Sequence, residues 1–261
     1  MPTPLEILID PLSSTLIAIY IALISLDAIF PAQKLAKVKG WKPRAIITFF
    51  GYVYISTYLP MVWDAYLLPY QLLDISALNP YLAAFIGLLV FEFFLYIWHR
   101  EMHNNRVLWR VLHQFHHSAE RLDSYGAFYF SSLDIIGFTF LGSLSLVLLV
   151  GLSPEAVTLY LYGSMFIVIF QHTNIKTPVW LGYIIQCPES HSVHHSKNFQ
   201  ASNYSDLPIF DILFGTFQNP INFSKETGFY HGASRRVVDM LLCRDVSEPK
   251  TIEAQAQANN R

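Results

Sequence analysis

The sequence predicts an all-α integral membrane protein with about four to five membrane helices, the last two forming a tight hairpin, and a histidine-rich helical cap on one side. Three observations carry this expectation. Hydrophobic residues make up 53% of the 261, aromatics 15% and charged residues only 14%, outside the range of ordinary soluble domains. Five apolar runs, at about 12–30, 45–63, 81–98, 135–152 and 156–171, each approach the ~20 residues that a helix needs to cross the hydrocarbon core. Nine of the ten histidines lie at the end of the third run or beyond it, in a few short clusters.

The first run has no basic residue ahead of it and is followed by Lys34, Lys37, Lys39, Lys42 and Arg44, so it reads as an anchor rather than a cleaved signal. The segment from Asp64 to Pro80 has no Lys or Arg, whereas Arg100, Arg106, Arg110 and Arg121 follow the third run. Basic loops stay cytoplasmic. The N-terminus and second loop are therefore expected outside, and the first loop and everything after Trp98 inside, in either a bacterial inner membrane or the endoplasmic reticulum. Ser153, Pro154 and Glu155 alone join the fourth and fifth runs, so this hairpin returns to the same side. All 17 basic residues then fall on one predicted face.

The stretch from Leu95 to Arg121 has no Pro or Gly and is expected to be one helix. Another is expected to start at Pro188 and Glu189, where a proline and an acid suit a first turn. Cys187 and Cys243, on the predicted cytoplasmic side, read as free thiols. Residues 1–245 form one predicted unit, and the polar tail 246–261 is expected to be disordered.

The histidine spacing carries the chemistry. His99 and His103 stand in HREMH, His113, His116 and His117 in HQFHH, His172 in FQHTNI, and His191, His194 and His195 in HSVHH. Positions i, i+3 and i+4 share one helical face, so each motif aims its imidazoles in one direction. Nine nitrogens exceed the needs of a single tetrahedral zinc and suit two metals with four or five ligands each. His231, alone in FYHGASRR, reads as structural.

With these boxes the chain resembles the fatty acid hydroxylase and sterol desaturase superfamily of membrane-bound di-iron enzymes. The resemblance rests on HREMH, HQFHH and HSVHH in that order, supported by LWRVLHQFHHS, PESHSVHHS, FQHTNI and FDILFGTF, and covers roughly Tyr96 to Gln218. It implies two irons held by His99, His103, His113, His116, His117, His172, His191, His194 and His195, with zinc able to fill the same site in purified protein. It also implies O2 as co-substrate, a lipid substrate from the bilayer, no nucleic acid, and a separate electron donor of cytochrome b5, ferredoxin or flavoprotein type. Three positions depart from the pattern. Val168 stands where some relatives carry a further histidine, YFSSLD (Tyr129–Asp134) lacks a histidine ahead of its acid, and Asn203, Tyr204 and Ser205 replace Asn-Tyr-Gly.

Metal-bound imidazoles need their second nitrogen anchored. Glu92, seven residues before His99 on the same face, is a candidate for this or for a substrate channel, because a carboxylate inside a membrane helix is costly. Asp123, Asp134, Glu189 and Asn203 are further candidates. The aromatic stretches FEFFLYIW and AFYF could line a channel or simply pack between helices. Hydroxylation or desaturation of a fatty-acyl or complex lipid is the expected reaction, with sterol, carotenoid or alkyl-ether oxidation as alternatives. A metal transporter would need ligands along a membrane path, a haem protein would leave the triplets unexplained, and an inert zinc protein would share the ligand set.

Overall fold

The computed structural model describes residues 1–197, 199 and 201–249, and these are helical with no β-sheet among them. Four helices are long and apolar enough to cross a membrane: Pro11–Ile29, Trp41–Tyr70, Pro80–Asn104 and Ser132–Val150. In chain order, α1 is Pro4–Ile9, α2 Pro11–Ile29, α3 Trp41–Leu67 with a 3-10 turn to Tyr70, and α4 Pro80–Asn104. The fifth apolar run is the 18-residue helix Pro154–Gln171, which is not among those four.

Local sequence sets the helix starts. Asp10 and Asn79 accept hydrogen bonds from the first backbone N–H groups of α2 and α4, and Pro11 and Pro80 occupy the first helical position, where no N–H is needed. Gly40 precedes α3 at a φ of 67°, which favours glycine. At about 1.5 Å per residue, the 25 residues of α4 extend beyond a ~30 Å hydrocarbon core. The surplus of roughly five residues matches the end of the helix that carries His99 and His103.

The expected single helix from Leu95 to Arg121 is broken. Asn105 leaves helical geometry at φ −106°, and its side chain caps Val107 and Leu108 to open α5, Arg106–Leu108. A π-helical turn, Trp109–His113, leads into α6, Gln114–His117. An asparagine favours capping over a helix interior, and the restart brings the first triplet against the other histidines.

Helix α7, Ser132–Ser143, continues as π-helical Leu144–Val150. Its wide end leaves carbonyls open, and Leu72, Leu73 and Ile75 donate to those of Leu148, Leu149 and Val150. Gly151, at φ 65°, turns the chain where a Cβ would meet the Leu73 carbonyl at 2.4 Å. Helix α8, Pro154–Gln171, then returns, completing the expected hairpin. The short helices α9 (Pro188–His194), α10 (Ile209–Phe214) and α11 (Val237–Leu241) build the cap. Helix α3 packs on α7, and α8 packs on both α2 and α4.

Both cysteines are free. Disorder is expected from Val246 onward, but that side chain is fully buried, its N–H donates to Gln114 Oε1, and Ser247 accepts from Trp109. Residues 250–261 of that expectation lie outside the described residues.

Asp27, near the cap end of α2, binds two separate loops. Its carboxylate accepts from Ser124 N and Oγ and from Asn174 N at 2.7–2.8 Å. Replacing Asp27 by Ala removes three charge-assisted bonds, and we expect it to destabilise the protein by on the order of 2 kcal/mol, read as a lowered Tm in detergent with the helical content intact.

Candidate metal centre

Nine histidines converge where the cap meets the ends of α4 and α8, and they separate into two groups. His99, His103, His113, His117 and His194 form one, and His116, His172, His191 and His195 the other. Within each group the ligand atoms all lie within 4.8 Å of one another. The repeated pentapeptide explains the division. His113 and His117 go to the first group while His116 faces the second; His191 and His195 go to the second while His194 faces the first. Each triplet therefore serves both groups, with its i and i+4 members on one side and its i+3 member on the other. The rings of His117 and His195 stack at 4.2 Å between them.

Hydrogen bonds fix the tautomers. His99 Nδ1 lies 2.6 Å from the Tyr204 carbonyl, His116 Nδ1 3.3 Å from that of Tyr129, His172 Nδ1 2.7 Å from that of Val168, and His194 Nδ1 2.7 Å from that of Ser202. His113 Nδ1 meets Asp134 Oδ2 at 2.9 Å. A carbonyl oxygen only accepts, so the Nδ1 atoms of His99, His116, His172 and His194 carry the proton, as does that of His113 when Asp134 is ionised, and a neutral ring then has only a lone pair on Nε2. Yet His99 and His113 bring their Nε2 atoms to 2.9 Å, and His116 and His172 bring theirs to 3.2 Å. Neither His116 nor His172 has an Nε2 proton to donate, and with Asp134 ionised the same is true of His99 and His113. His191 Nε2 sits 3.0 Å from His172 Nε2, and His194 Nε2 and both nitrogens of His117 and His195 are buried without a hydrogen-bond partner. Converging lone pairs repel unless a cation lies among them, so the residues fit two metal ions. Imidazole suits zinc, copper, iron and nickel alike.

Burial keeps the rings neutral. It holds His113, His116, His117, His191, His194 and His195 well below the usual imidazole pKa, with the neighbouring histidines adding to the effect. The same cause lowers His172 to about 4.

Backbone carbonyls do most of the anchoring, and one loop supplies two of them. Ser202 and Tyr204 flank Asn203, whose φ of 57° is a left-handed value that asparagine tolerates. Asn203 donates to the Ser190 and Gln218 carbonyls and accepts from Gln218 N. Asp211 accepts from Tyr204 N, Ser205 N and Ser205 Oγ. Glu92 Oε2 accepts from Asp206 N and Leu207 N. Ser205 avoids positive φ and contributes its hydroxyl to the network.

Of the anchoring candidates, Asp134 alone bonds directly to an imidazole. Glu92 and Asn203 hold the loop instead. Glu189 ties α9 to Thr177 N and Oγ1, and Asp123 binds Trp41 and Arg121. In YFSSLD, Ser131 caps α7 and so orients Asp134. Val168 contributes its carbonyl to His172, and His231 lies exposed outside both groups. Asp206, Asp211 and Gln171 were not singled out in the sequence. Asp206 lies in a loop and Asp211 in the first turn of α10, neither at a spacing that marks a ligand, and a backbone carbonyl acceptor leaves no trace in residue identity.

Above the histidines a cavity of about 570 Å³ rises between α2, α3, α4, α7 and α8. His99, His113, His116, His172 and His191 line one end, and mostly apolar side chains line the walls. Of the aromatic stretches, Phe91, Phe128 and Phe130 reach it.

Four apolar membrane helices under a double polyhistidine cluster define an integral membrane protein with a candidate two-metal centre. The chain belongs to the fatty acid hydroxylase family, whose model matches residues 84–216. It is similar to the ornithine lipid hydroxylase OlsE of Rhizobium tropici, 36% identical over 140 residues, which are 52% of this chain and 41% of the relative. It is also similar to the very-long-chain aldehyde decarbonylase GL1-9 of Oryza sativa, from subspecies indica and japonica alike, 28% identical over 154 residues, 55% of this chain and 58% of each relative. The chain thus spans about half the length of these curated relatives. No solved structure matches it.

Two outcomes are expected of the site. Asp134→Asn should weaken metal binding by about 10–100-fold, measured by competition with a chelator. The second concerns acid. Because the folded-state imidazole pKa values lie below the unfolded value of ~6.5, unfolding takes up protons in this range. The metal-free protein should therefore lose stability as pH falls from about 6.5 toward 4, and Tm measured across that range should fall more than in His113→Ala.

Proposed function

We propose that this chain is an O2-dependent di-iron oxidoreductase that hydroxylates or desaturates a C–H bond of a membrane lipid, with a fatty-acyl or complex lipid chain as the target. The observation that carries the reading is the pairing of two facing polyhistidine clusters with an apolar cavity that opens onto them. Family membership and the activity named for the ornithine lipid hydroxylase relative support the same class. The nine histidines would hold the irons, and the bound metals would supply oxygen activation and C–H oxidation. An elongated cavity running past several turns of α3 suits a flexible chain better than a fused ring system.

The protein's own residues position and exclude. Asp134 and the carbonyls of Val168, Tyr129, Ser202 and Tyr204 hold the imidazoles in one tautomer. Phe128, Phe130 and Phe138 wall the cavity beside the histidines and keep water from the reacting carbon. The electrons come from a separate donor protein at the cap, and the basic residues of that face support a cytoplasmic position for it. Residues 1–245 act as one unit.

The test is product formation in membranes supplied with iron, a reductase system and O2. Oxidised lipid should appear only with O2, and His113→Ala and His194→Ala should abolish it while membrane insertion persists. Full activity in both variants would exclude the reading.

A further inference from the structure

The cavity has a second chemically distinct end. Tyr52 of α3 stacks on Phe128 at 4.3 Å, and Phe130 stacks on His116 at the same distance, which puts Tyr52 near the level of the histidines. Asp64 lines the same cavity 12 residues later in α3, roughly 18 Å farther along the helix axis. Leu12, Leu68 and Val157, from the far ends of α2, α3 and α8, line it there as well.

Charge sets this end apart. Residues 1–33 and 45–99 contain no Lys or Arg, and no described Lys or Arg lines the cavity. Other acids in the connections at that end serve the backbone: Asp10 caps α2 and Asp74 accepts from Ser76 N. Asp64 caps nothing. Ser143 and Trp63 donate hydrogen bonds to its carboxylate, while its Oδ1 is buried without a partner. The hydroxyls of Ser56 and Thr57, also in the cavity wall, donate to carbonyls of their own helix. A carboxylate in an apolar wall with no cation of its own is costly unless a ligand supplies one.

We propose that Asp64 and the cavity mouth around it recognise the ammonium head of a single-chain amphiphile, whose tail runs down the cavity to the histidines. This rests on the proposed lipid-oxidising function and narrows its substrate class. Asp64 sets the register, so the carbon offered for oxidation lies roughly 18 Å from the charged head.

The test uses the full chain in lipid nanodiscs and three probes of one length: hexadecylamine, hexadecanol and hexadecanoate, each with a photoreactive diazirine at the tail end. Cross-linked peptides are read by mass spectrometry, with turnover assayed in parallel. The amine should label the wild-type protein about tenfold more than the carboxylate at equal concentration, on residues around Phe128 to Phe138. Asp64→Asn should bring amine labelling down to that of the alcohol, while alcohol labelling and metal content stay unchanged. Equal labelling by amine and carboxylate, or amine labelling indifferent to Asp64→Asn, would overturn the proposal. Head-selective labelling without oxidised product would remove the oxidation reading and leave this site standing; oxidised product with no head selectivity would do the reverse.

Discussion

The facing Nε2 lone pairs of His99 and His113, and of His116 and His172, are the constraint on which the rest of the structure depends. The His116 and His172 rings donate their Nδ1 protons to carbonyls, and His99 and His113 donate theirs to a carbonyl and to the ionised Asp134, so in neutral rings the contacts at 2.9 and 3.2 Å bring lone pair against lone pair. Two cations would turn that repulsion into coordination. The cap is folded around this requirement: α4 overshoots the apolar core to deliver His99 and His103, and α5 and α6 break away at Asn105 to turn the first triplet inward. The loop around Asn203 adopts a left-handed residue, and the anchoring carbonyls on either side of it, of Ser202 and Tyr204, face the rings.

A layer this polar under an apolar bundle must be satisfied internally. Asp211, Glu92 and Asn203 act through the loop and not on the metals, each closing backbone N–H or carbonyl groups that would otherwise be buried unpaired. Asp27 does the same between α2 and the segments at Ser124 and Asn174. The carboxylates that looked like direct partners of the imidazoles are mostly such ties, and only Asp134 touches a ring. The same rigidity serves chemistry, because a carbon presented from the cavity must meet fixed nitrogens.

Legibility in the sequence followed periodicity and spacing. Apolar runs of near-membrane length marked the helices, and two H-x-x-H-H motifs marked a site for more than one metal. The break at Asn105 was harder to see, because no Pro or Gly announces it and only the capping habit of asparagine hints at it. The exchange of members between triplets, with His116 facing one group and His194 the other, depends on how α6 and α9 are rotated against each other. No single-helix argument contains that rotation. The roles of the Val168, Tyr129, Ser202 and Tyr204 carbonyls were invisible because any residue supplies a carbonyl. Asp64 was legible as an acid on the outer side, but its place in the cavity wall needed the packing of α3 against α7.

The measurement that bears most directly on the account is metal content per chain, by mass spectrometry, on protein purified in lipid after anaerobic iron supply. Two metal ions per chain, lost together when His116 and His194 are replaced, are what the converging lone pairs require. A folded, membrane-inserted protein that takes up no metal under those conditions would contradict the account, because its facing imidazoles would then have to be held by some other arrangement of protons.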